Sequence, residues 1–130
     1  MTSDAGTWVV AALEVVAALA IAAFWITWPR EPHDEPWLPP GYVEHERVFV
    51  FGDSLLAVVL VASAALLVAE ESLGRSLALV AAGMLSFLGV LDLAYFAQHG
   101  MFARARGGPM NAGIVAGVLL LAAILVGRYA

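Results

Sequence analysis

At 130 residues, with 62% hydrophobic and only 13% charged, the chain is too apolar for a water-soluble protein of its size. Soluble domains run at about 45–50% apolar and about 25% charged. The mean hydropathy of +0.89 points the same way, to an integral membrane protein. A net charge of −5 without a basic cluster excludes a nucleic-acid surface, and the absence of cysteine excludes disulfides, thiolate catalysis and cysteine-based metal sites.

Spanning a bilayer takes about 20 apolar residues in a helix. The first segment that qualifies covers residues 8–28, "WVVAALEVVAALAIAAFWITW", bracketed by Trp8 and Trp28 as interfacial anchors. The preceding "MTSDAGT" has no basic residue and the apolar run is long, so the segment is expected to be retained and not cleaved as a signal peptide. The connection over 29–47 holds Pro29, Pro32, Pro36, Pro39 and Pro40, which favours extended backbone. Its Trp37, Leu38 and Tyr42 suggest packing on the bundle or the interface. A second helix is expected over 48–69. A tight link, "EESLGR", with Ser72 as N-cap, leads to a third over 76–98. Paired glycines and Pro109 precede a fourth over 110–126, closed by Arg128 and Tyr129. The reading is all-α: one domain over 1–130, four transmembrane helices in an up-down bundle with a long Pro-rich first loop. The all-arginine basic set and the Ala, Val, Leu and Gly content suggest a bacterial source, and hence the inner membrane. Four arginines flank loops one and three against two on the opposite side, which favours a cytoplasmic side for those loops. The acidic character of the first loop argues the other way.

Ionisable residues at membrane depth are costly and point to function. Glu14, Asp53 and Asp92 are the three. On the bundle topology, Asp53 and Asp92 lie roughly 8–9 Å below the same surface. Tyr95 and His99 share the helix face of Asp92, and Asn111 opens the fourth helix on that side. A polar cluster of Asp53, Asp92, Tyr95, His99 and Asn111 is therefore expected beneath the covering loops. Two carboxylates at one depth suit proton sharing or a cation. The alternative is structural: hydrogen bonds across helices, or pairing with Arg47, Arg104 or Arg106.

Glu14 stands near the opposite surface, in "AALEVV", with Ser63 as a structural partner. An acidic residue in the first of four helices is similar to the small multidrug resistance transporters. That likeness covers one residue and the helix count, and the long first loop departs from it, so no family is assigned. "HDE" (residues 33–35) and "EHE" (residues 44–46) lack the spacing that places metal ligands on one helix face, and read as solvated loop residues. No metal site and no cofactor is indicated.

Gly113-x-x-x-Gly117 on the fourth helix and Gly83 and Gly89 on the third are expected packing positions. Internal packing is the first expectation for them, contact with another chain the second. Three readings follow. The first is a non-enzymatic accessory or assembly subunit acting through helix contacts, with the bilayer and other membrane chains or its own copies as partners. The second is an oligomeric proton- or cation-coupled transporter or ligand-binding protein using the intramembrane carboxylates. The third, a membrane enzyme acting on a lipid-like substrate with Asp92, His99 and loop-one residues as acid and base, has no recognisable motif behind it.

Overall fold

The computed structural model describes residues 4–130. The elements in order are α1 (Ala5–Thr27), a 3-10 turn (Trp28–Arg30), α2 (Tyr42–Val68), α3 (Ser72–Gln98), a second 3-10 turn (Arg104–Arg106) and α4 (Gly108–Tyr129). All four α-helices are long and apolar enough to cross a membrane. The chain forms two compact units, Met1–Ala78 and Leu79–Ala130, divided within α3.

In the first unit, the Asp4 carboxylate caps α1 by accepting from the Thr7 N–H at 2.7 Å. α1 gives way at Trp28–Pro29, where the chain tightens into the 3-10 turn. The prolines keep residues 31–41 out of any helix. α2 then begins at Tyr42, earlier than the expected residue 48. The reason is local: Gly41, at φ +79°, turns the chain, and no residue after Pro40 blocks a helix. Glu44, His45 and Glu46 thus lie on the first turns of α2 and not in a loop, with the His45 ring 5.2 Å from that of Phe49.

α1 and α2 pack along their length. Val10, Ala11, Glu14 and Ala18 are buried on α1, and Leu56, Leu60, Ser63, Ala64 and Leu67 on α2. The three-to-four-residue spacing makes one stripe on each helix, and alanines let the backbones approach. At the end of α2, the Glu71 N–H bonds the Leu66 carbonyl at 2.9 Å and the Glu70 N–H bonds the Leu67 carbonyl at 3.1 Å. This is a Schellman closure, with Glu70 at φ +60° where glycine is usual. α3 starts directly at Ser72, so Ser72 is a helical residue and not the expected cap of a helix beginning at 76. Gly74 lies against α2, where a Cβ would sit 2.6 Å from the Leu67 nitrogen.

In the second unit, α3 buries Ala81, Ala82, Leu85 and Phe96, and α4 buries Val115, Leu121, Ala122 and Leu125. Gly89 is a close-approach position: a Cβ there would meet Leu119 Cδ2 at 2.5 Å. α3 ends in a second Schellman closure. The Met101 N–H bonds the Phe96 carbonyl at 2.8 Å, with Gly100 at φ +65°. Met101 and Phe96, the apolar pair of that motif, are both buried. Asn111 Nδ2 donates to the Met101 carbonyl at 2.7 Å, and Arg106 Nη1 donates to the His99 carbonyl at 3.1 Å. These two side chains fasten the link between α3 and α4.

Candidate functional site

The first unit places two carboxyl groups in different surroundings. Glu14 is fully buried, at 0% exposure, and neither carboxylate oxygen has a hydrogen bond. Ser63 of α2 stands beside it. The Ser63 hydroxyl, however, is turned to the Gly74 carbonyl at 3.3 Å. Natural cores seldom leave a buried polar side chain without a partner, so Glu14 is the most anomalous residue of the unit.

Asp53 lies ten residues before Ser63 on α2, about 15 Å along the axis. Its carboxylate accepts from Trp25 Nε1 of α1 at 2.8 Å. The bond ties the end of α1 to the beginning of α2. Around it is an aromatic corner. The Trp25 and Trp28 rings meet edge to face at 5.4 Å, Trp28 stacks on His33 at 4.2 Å, and Tyr42 approaches both Trp28 and His33. His33 Nε2 is 2.9 Å from the Trp28 carbonyl. Trp28 is buried, and its own N–H has no acceptor. His33 is therefore a packed residue and not the solvated one expected from "HDE".

Two cavities open on this corner. One, of about 260 Å³, is lined by Trp25, Trp28, Pro29, His33, Val43, Arg47 and Val50. The other, of about 310 Å³, includes Asp34, Glu35, Leu38, Tyr42 and Glu44 in its wall. His33 and Val43 belong to both.

The second unit holds the remaining expected site residues. Tyr95 and His99 are in ring contact at 4.4 Å. Asp92 is half-buried and engaged in an interaction of its own. Asn111 is committed to backbone carbonyls, at 2.7 Å to Met101 and 3.4 Å to Arg106, which gives it a fastening role. Among the described residues, no group of three His, Asp or Glu side chains is placed to hold a metal ion.

Gly113 and Gly117 are exposed, and a Cβ at either meets nothing within 4 Å; the same is true of Gly83. Among the described residues the close approaches to glycine fall instead at Gly74, Gly89 and Gly108. Of the residues at this corner, the sequence already offers Trp28 as an anchor, His33 as a loop residue and Arg47 as a pairing partner; Trp25 alone carries no expectation. Tryptophans three apart at a helix end carry the signal, but interfacial anchoring accounts for them equally well. No protein family, curated protein or solved structure compared with the chain matches it.

Proposed function

We propose that the chain is a small polytopic protein of the bacterial inner membrane, folded as an up-down bundle, that works as a non-enzymatic accessory or assembly subunit. The observation that carries this is the open face of α4. Gly113 and Gly117 occupy one stripe with free space above them, whereas three other glycines are filled by the chain's own packing. A small-residue stripe left uncovered is suited to another transmembrane helix. The partner is a second membrane chain or another copy.

The test is a Gly113→Ile, Gly117→Ile double variant. A Cβ at either position meets nothing within 4 Å and both positions are exposed, so thermal stability in detergent should stay within about 0.5 kcal/mol of the parent. Native-membrane pull-down, or cross-linking between copies, should lose its partner band. Retention of all partners by the folded double variant would refute the subunit reading.

Glu14 supports a second reading, an oligomeric proton- or cation-coupled carrier. A fully buried carboxyl group with no hydrogen bond is hard to explain as structural glue. Proton flux into proteoliposomes, followed with an entrapped pH dye, is expected to fall in Glu14→Gln with helicity unchanged. Equal flux in parent, Glu14→Gln and protein-free vesicles would remove this reading.

A further inference from the structure

The two cavities at the α1–α2 corner divide by chemistry. The first is walled by Trp25, Trp28, Pro29, Val43 and Val50, with Arg47 as its one fully charged side chain. It lies where the first candidate span ends and the second begins, since Trp25 and Trp28 are near the end of one and Val43 to Val50 near the start of the other. The second cavity is lined by Asp34, Glu35 and Glu44, with Tyr42 and His33, and has no lysine or arginine. All three carboxylates are exposed.

We infer that this corner binds a zwitterionic phospholipid with an ammonium headgroup. The acyl chain lies along the apolar first cavity, the phosphate meets Arg47, and the ammonium enters the acidic second cavity. Charge order decides the occupant. A purely anionic headgroup would place its charge among three carboxylates. A bare metal ion needs ligands converging on a point, and among the described residues no such group exists. An ammonium group tolerates dispersed carboxylates and gains from the Tyr42 ring beside them. Each cavity is close to the lower bound of about 300 Å³ for small-molecule pockets, in keeping with part of a lipid in each. Trp28, whose buried N–H has no acceptor among the described residues, is one of the lining residues of the first cavity. The site lies wholly within residues 1–78 and does not depend on the α4 face.

The test is native mass spectrometry of the full chain, released from mixed micelles holding equal amounts of phosphatidylethanolamine and phosphatidylglycerol with matched acyl chains. The parent should carry the ethanolamine lipid in excess by about fivefold, the upper end for an exposed ion pair. The Asp34→Asn, Glu35→Gln, Glu44→Gln triple variant, altered only at exposed positions, should lose that preference. Val50→Trp, which fills the apolar cavity, should lose adducts of both lipids while circular dichroism stays helical. Equal uptake by the parent, or an excess of phosphatidylglycerol, overturns the headgroup assignment. Adducts that persist in a helical Val50→Trp variant place the lipid elsewhere and overturn the site.

Discussion

Glu14 and Asp53 are both acidic residues on helices long and apolar enough to span a membrane, and their neighbours give them opposite characters. Asp53 has a donor, the Trp25 indole at 2.8 Å. Trp25→Phe keeps an aromatic ring, smaller than the indole, and removes that donor, so it should lower unfolding stability in detergent by at least about 1 kcal/mol. Asp53→Leu in the same background should add little, and a double-mutant cycle reads the difference. Glu14 has only Ser63 beside it, with that hydroxyl turned to the Gly74 carbonyl. Glu14→Met, similar in volume and apolar, should raise stability by about 1–3 kcal/mol, the usual range for an unsatisfied buried polar group. Unfolding followed by circular dichroism would show a drop instead if Glu14 were well satisfied. The cost of these carboxyl groups was legible in the sequence, because a charge in an apolar run stands out. Their partners were legible only in part. Ser63 is readable from the sequence as a neighbour of Glu14, although its hydroxyl is turned to the Gly74 carbonyl; Trp25 reads as an interfacial anchor, and only packing of α1 on α2 turns its indole to Asp53.

α2 and α3 end in the same hydrogen-bond pattern with different residues at the left-handed position: Gly100 after α3 and Glu70 after α2. A side chain in that conformation costs on the order of 1 kcal/mol. Glu70→Gly should therefore stabilise the protein by up to about 1 kcal/mol, whereas Gly100→Glu should destabilise it by a similar amount, both read from thermal unfolding. Gly74→Ala should be more damaging than Gly83→Ala. At Gly74 the added carbon meets α2 backbone, and at Gly83 it meets open space. A loss at Gly83 equal to that at Gly74 would contradict this. Helix existence was readable from hydropathy, and so was the proline-rich interruption. The helix starts were not, because the sequence marks where apolar residues begin. α2 begins before them, on the polar turn from Tyr42, as soon as the prolines end.

The chain as a whole exposes large apolar side chains on every membrane-spanning helix, among them Val16 on α1, Phe51 on α2, Phe87 on α3 and Leu120 on α4. In cells the protein should stay in the membrane pellet through alkaline carbonate washing, and recovery in the wash would contradict four spanning helices. That four helices are long and apolar enough to cross a membrane was legible from the hydropathy and length of the four runs. The proposed polar cluster was not decided by sequence. It rests on Asp53 and Asp92 sharing a depth, and depth along a helix does not fix direction around it. Asp53 turns to Trp25, and Tyr95 turns to His99. The bond between Trp25 and Asp53 also has a temporal side. A ribosome delivers the indole donor well before its acceptor, and the intervening prolines delay α2 further. α1 alone would enter lipid with Glu14 on its surface. The two helices are therefore expected to leave the translocon as a hairpin, and an arrested nascent chain with only α1 clear of the ribosome should remain cross-linkable to the translocon when one with α2 also clear has been released.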